Sequence, residues 1–263
     1  MAPTAEPTTE PRSQPAAAPT PAPEPGVVLH DGVTRVVHGS AVDVRSAFPP
    51  ELGIPGTLHL FTKGRAGGEA SSPAFCGAMG VFPFDTSMRM PRHVHVSPPV
   101  AVDALGRGPD PAAGAGDGAA AAPRYIVEKV LAIAGIGLAE LAGEIYVVPP
   151  MSMVLIGAGV PHSWTACPAG LDLRALGVAG PDYDGELVSD GRFLATFEYE
   201  DATTFYPTAQ TGRLAGTGEY VHCADLHAIR FPALTVEEVV ERAWFVWGTK
   251  VWKLGRDGDV ARS

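Results

Sequence analysis

Basic charge is scarce in this sequence of 263 residues: 19 lysines and arginines stand against 29 aspartates and glutamates, a net charge of −10. That balance repels the phosphates of nucleic acids and anionic lipid headgroups at long range, which sets both aside as partners. Cysteine is also rare. Cys76, Cys167 and Cys223 are odd in number, widely spaced and without a CxxC pair, so reduced thiols are expected rather than a disulfide framework. Long apolar runs are missing as well: the longest, "VLAIAGIGLA" from Val130 to Ala139, is about half of what a bilayer requires. The first residues lack the basic start and continuous apolar stretch of a secretory signal, and they are too acidic for a typical transit peptide. A cytoplasmic protein without a membrane span is therefore expected. There is no Gly-rich phosphate loop in a strand-to-helix context and no GxSxG nucleophile elbow.

What is present is an apolar content of 46%, enough for a sizeable core in one large domain or two small ones. Residues 1–25 carry proline at every second to fourth position, which predicts a disordered tail. A second low-complexity stretch, 104–123, is rich in Gly, Ala and Pro and reads as a flexible insertion within a domain spanning 26–234. Between these lie short β-type runs such as "VTRVVHG", "RHVHVS", "EIYVVPP", "SMVLIGAG" and "RFLATFEYE", separated by turn residues. They predict an all-β sandwich or barrel. The stretch "EKVLAIAGIGLAELAGE" has helical propensity, but Gly135 and Gly137 with its β-branched residues favour strand, turn and strand. From 235 to 263 the chain reads as a C-terminal helix and tail. Thr235 and Glu238 form a capping box, and Val236, Val239, Val240, Ala243, Trp244 and Trp247 follow at helical spacing, predicting a helix packed outside the barrel.

His93 and His95 in "RHVHVS" are two residues apart, so on a strand they point to the same side. Alone, the pair is as compatible with incidental strand residues as with metal ligands. Two later stretches add to it: Glu128, followed six residues on by Gly135, and His162 at the end of "GAGVPH", after the apolar strand "MVLI". The ordered combination, over about Thr57 to Val178, resembles the cupin superfamily, whose first motif is HxH, then Glu, six residues and Gly, and whose second ends in Gly, two residues and His. This chain departs from the pattern in placing the insertion between His95 and Glu128. It also has Met151 for the leading Gly of the second motif, Gly157 for its Pro and Ala166 for its Asn.

The resemblance implies an antiparallel jelly-roll barrel in which His93, His95, Glu128 and His162 hold one divalent transition metal, iron first, with Mn, Ni, Cu or Zn as alternatives. It also implies a homodimer. The expected function is a metal-dependent oxidoreductase, dioxygenase-like, acting on a small organic or secondary-metabolite-type molecule. A non-oxidative isomerase, cyclase or lyase, or a small-molecule-binding protein without turnover, is the alternative. Glu128, as a carboxylate ligand able to accept a proton, is the candidate catalytic group. By strand parity Ile126, Val130, Ala132 and Ala134 share its inward side, Trp164 shares that of His162, and His59 is a further pocket candidate on an apolar strand. Phe82, Phe84 and Met88 to Met90 are expected to close a barrel mouth or simply to pack. Arg92 is expected to point away from the metal, and Glu140 and Glu144 into solvent. His222, Cys223 and His227 fit no common zinc spacing.

Overall fold

Alternation of apolar and polar residues over short segments favours strands that bury one face, the pattern seen from Glu128 to Ala132, whereas continuous apolar runs favour strands buried on both. The computed structural model describes residues 26–46, 57–60, 77–97, 122–180, 183–185, 187–203, 205–254 and 260–262. The N-terminal 25 residues and nearly all of 104–123 lie outside them. The first strands are β1 (Val27–Val28), β2 (Arg35–His38), β3 (Asp43–Ser46), β4 (Thr57–Leu60), β5 (Met79–Asp85) and β6 (His93–Val94). Next come β7 (Val96–Ser97), β8 (Arg124–Tyr125), β9 (Glu128–Gly135), β10 (Gly137–Leu141), β11 (Glu144–Val148) and β12 (Ser152–Ile156). After these follow β13 (His162–Ala166), β14 (Arg192–Tyr199), β15 (Tyr206–Pro207), helix α1 (Val236–Arg242), β16 (Trp244–Trp247), β17 (Lys250–Lys253) and β18 (Val260–Arg262).

Two sheets carry the architecture. One has the order β1-β2-β12-β9-β14-β5, the other β15-β6-β13-β10-β11-β16-β17-β18, and the pairs β3-β4 and β7-β8 are separate two-stranded ladders. The fold is all-β with a single α-helix, as the sequence predicts. Between the sheets lies a core that includes Val130, Ala139, Leu141, Val154, Trp164 and Phe193. A second core, including Ile136, Leu138, Val147, Phe231, Val239 and Phe245, covers the other face of the eight-stranded sheet. This explains why every residue of β10 is buried: Ala139 and Leu141 face one core, Leu138 the other. Across the segment that had helical propensity, β9 and β10 are two strands, and Gly135 between them adopts a φ of 70° with the Arg192 carbonyl where a Cβ would stand.

The C-terminal helix is shorter than its sequence pattern suggests. Its capping box is present, with Thr235 Oγ1 accepting from the Glu238 N–H and Glu238 accepting from the Thr235 N–H, and Val239 anchors it in the outer core. It ends at Arg242. Trp244 to Trp247 instead form β16, parallel to β11 and antiparallel to β17, with Gly248 turning the hairpin at a φ of 61°. Sheet pairing outweighs the helical spacing here because Trp, Phe and Val suit a pleated surface and find open ladder positions beside β11.

Candidate metal centre

His93 on β6 and His162 on β13 are directly opposed in the ladder, so both side chains face the space between the sheets. His95 stands between β6 and β7, and Glu128 opens β9. The ligand atoms of His93, His95 and His162 all lie within 4.8 Å of one another, and the three residues are 3%, 4% and 2% exposed. Glu128 is buried beside them, its Oε2 at 2.9 Å from His162 Nε2 and 3.4 Å from His95 Nε2. The sequence motif is thus gathered in space, with the carboxylate against two of the three imidazoles.

Backbone carbonyls fix two of the rings. His93 Nδ1 is 2.9 Å from the Pro91 carbonyl oxygen, and His162 Nδ1 is 2.9 Å from that of Val160. A carbonyl only accepts, so each Nδ1 carries the proton, and in the neutral ring Nε2 is left as a lone pair. For His162 that nitrogen stands 2.9 Å from Glu128 Oε2, so a positive group, a proton or a metal ion, belongs between them. Two acceptors at that distance, sealed from water, are stabilised by a cation. The donor set fits a metal ion: imidazole nitrogens oriented by second hydrogen bonds, with an anionic oxygen adjacent.

The local turn also serves His162. Gly159 adopts a φ of 76°, and the Leu214 carbonyl oxygen lies 2.1 Å from where its Cβ would be, so the strand can begin three residues later with His162 facing inward. Burial, with the neighbouring imidazoles of His162 and His95, holds His93 well below the usual imidazole range and keeps it neutral. Burial pushes the Glu128 carboxyl up, but the imidazoles beside it outweigh this, and the net displacement is well below the usual carboxylate range. An ionised carboxylate beside clustered imidazole nitrogens is a donor set that suits a metal ion.

A cavity of about 250 Å³ adjoins the centre, with His93, His95 and Glu128 in its wall. Of the pocket residues expected from parity, Val130 and Trp164 line it. Ala132 is buried in the same core cluster without reaching the cavity wall. Ala134 is exposed rather than inward, because a bulge between Leu194 and Ala195 leaves Ile133 without a partner on β14 and breaks the alternation. His59 falls on β4, whose side chains lie outside the described residues. Phe82, Phe84 and Met90 do line the cavity.

Sequence reasoning missed Phe197, Tyr199 and Phe205, which complete the wall. Register accounts for two of them: across β9 and β14, Tyr199 is paired with Glu128 and Phe197 with Val130, so each faces the same side as its partner. The alternating Phe193, Ala195, Phe197 and Tyr199 in "RFLATFEYE" was the available signal. Glu140 is a second correction. It is 5% exposed, not solvent-facing, because Arg92 Nε and Nη2 donate to its Oε1 and Ser163 Oγ donates to its Oε2. Arg92 therefore does point away from the triad. Glu144 is half-exposed and accepts from Trp244 Nε1.

Elsewhere, Cys167 and Cys223 are free thiols, and burial pushes the Cys167 thiol up to about 12. His222, Cys223 and His227 form no three-ligand group among the described residues. No described helix is long and apolar enough to cross a membrane. No protein-family profile, curated protein or solved structure matches this chain; the all-β fold with its buried histidine triad is compatible with the cupin resemblance of the sequence motif.

Proposed function

We propose that this protein is a metal-dependent enzyme of the cupin type, an oxidoreductase of the dioxygenase kind that acts on a small organic molecule. The observation that carries the reading is the donor cluster: ligand nitrogens of buried His93, His95 and His162 lie within 4.8 Å of one another, with Glu128 Oε2 2.9 Å from His162 Nε2. When bound there, an iron ion or a similar one supplies Lewis acidity and a route to dioxygen. The chain supplies the rest. His93, His95 and His162 present a fixed face of nitrogen donors, and the 250 Å³ cavity orients a substrate against that face while excluding water. Glu128, in the cavity wall and ionised despite its burial, is the proton acceptor of the site.

Elemental analysis of the purified protein tests this directly. Iron or copper at about one atom per chain is expected from a single site, together with a ferrous nitrosyl signal in the EPR spectrum when nitric oxide is added anaerobically. Zinc in the same stoichiometry would replace the oxidative reading with Lewis-acid chemistry. Protein that retains no first-row metal after reconstitution would overturn the proposal.

A further inference from the structure

The chemistry of the cavity wall goes further than the metal centre does. Six aromatic side chains line it: Phe82, Phe84, Trp164, Phe197, Tyr199 and Phe205. Among the described residues no lysine or arginine does, and the one charged group in the wall is the Glu128 carboxylate. A carboxylate, phosphate or sulfonate held among these rings, out of reach of the metal centre, would be desolvated with no side-chain counter-charge. Aromatic walls instead favour flat rings, which stack or meet ring edges at little cost in conformational entropy.

Two of these rings carry a polar group, the Trp164 indole, whose Nε1 is buried without a hydrogen-bond partner among the described residues, and the Tyr199 phenol. Tyr199 packs its ring 4.5 Å from that of His95 and 5.1 Å from that of Phe197. As the register partner of Glu128 it is directed to the same side of the sheet. Its hydroxyl makes no hydrogen bond to any described residue, while Tyr125 and Tyr206, outside the cavity, belong to a separate apolar cluster. A phenol in a cavity wall is both a flat apolar surface and a directed donor.

We infer that the cavity binds an uncharged, planar aromatic or conjugated molecule carrying an acceptor oxygen, and that the Tyr199 hydroxyl donates to that oxygen. This rests on the triad being the reacting centre, since the ring system is then held beside it. Tyr199 becomes the specificity-determining residue of the site: it selects for an oxygen next to the ring, and the absence of lysine and arginine from the wall selects against anions that do not ligate the metal. The volume accommodates one ring with a substituent or two fused rings.

A matched set of probes tests it on the full chain as purified. 4-(Methylsulfonyl)acetophenone is neutral; 4-acetylbenzenesulfonate has nearly the same shape, a permanent negative charge and a poorly coordinating sulfonate. Ethylbenzene is flat without an acceptor. Binding is measured anaerobically by ligand-observed NMR titration. The neutral ketone is expected to bind at least about tenfold more tightly than the sulfonate, as an uncompensated buried charge requires. Tyr199→Phe should weaken the ketone about fivefold, the worth of one hydrogen bond, and leave ethylbenzene unchanged. Equal binding of the sulfonate, or a ketone affinity indifferent to Tyr199→Phe, overturns the inference.

Metal content, measured on the same samples, separates the two levels of the argument. Tyr199→Phe should retain the wild-type metal load. If the protein holds no metal yet keeps the ketone preference and its dependence on Tyr199, the cavity assignment stands and the metal reading falls. A normal metal load with no preference among the probes has the opposite meaning.

Discussion

His93 and His162 are opposed across the β6–β13 ladder, and each ring places Nδ1 2.9 Å from the carbonyl oxygen two residues before it. The symmetry is local and backbone-encoded: Pro91 and Val160 carbonyls determine the tautomer, so the donor face exists before any ion arrives. Preorganisation of this kind reduces the ordering cost of binding.

The first prediction concerns this face. His93→Ala and His162→Ala should each lower the metal content of the purified protein from about one per chain to a small fraction, since each removes one of three clustered nitrogens. Elemental analysis reads this out, and circular dichroism of the same samples should remain that of a β protein. A variant that folds and keeps its metal would remove that histidine from the ligand set.

Glu140 provides a contrast with Glu128. Both are buried glutamates, but Glu140 faces Arg92 and Ser163 on the opposite side of the sheet from the triad. Glu140→Ala strands the partly exposed Arg92 guanidinium, and a loss of about 3 kcal/mol is expected from breaking one side of such a pair. Urea unfolding measures it. Metal content should not change, which distinguishes a structural carboxylate from one at the centre.

Gly159→Ala should destabilise the fold by at least about 2 kcal/mol, because the added methyl meets a left-handed backbone and the Leu214 carbonyl together. Gly170→Ala is the control. Gly170 also has a positive φ, of 92°, but nothing lies within 4 Å of a Cβ there, so it should cost only the conformational part. Comparing the two unfolding midpoints isolates the clash.

A pH dependence follows from His38. It is fully buried, its ring centroid 4.2 Å from that of Trp247, and burial lowers its pKa from 6.5 to about 4. Between those values the unfolded chain binds a proton that the folded chain refuses. The stability His38 contributes is therefore complete above pH 6.5 and is lost as the pH falls toward 4. Over that window the wild type should lose about 3 kcal/mol more than His38→Gln. Both proteins keep the triad, so its own titration cancels in the difference.

Much of the centre was legible in the sequence because its signals are local. HxH reports strand parity, and a glycine three residues before a histidine reports a turn that only glycine makes easily. The resulting contact between Glu128 and the imidazoles is non-local, yet each participant carries its own short pattern. The aromatic wall had no such local signal beyond the alternation in β14, since its partners are fixed by register with β9 more than fifty residues away. Glu140 was misjudged for a related reason: a carboxylate near a turn is usually solvated, and only the long-range arrival of Arg92 reverses that. At the C terminus, "WFVWGTKVW" satisfies helical spacing and hairpin composition at once, and the vacant side of β11 decides between them.

The β7–β8 ladder pairs Val96 with Tyr125 and Ser97 with Arg124. Ser97 and Arg124 therefore stand side by side, with His95 and Glu128 two and four residues from them along the chain. A peptide tag or guest domain inserted between 98 and 121 would only add chain between two ends that are already paired, so the donor face two residues away keeps its register.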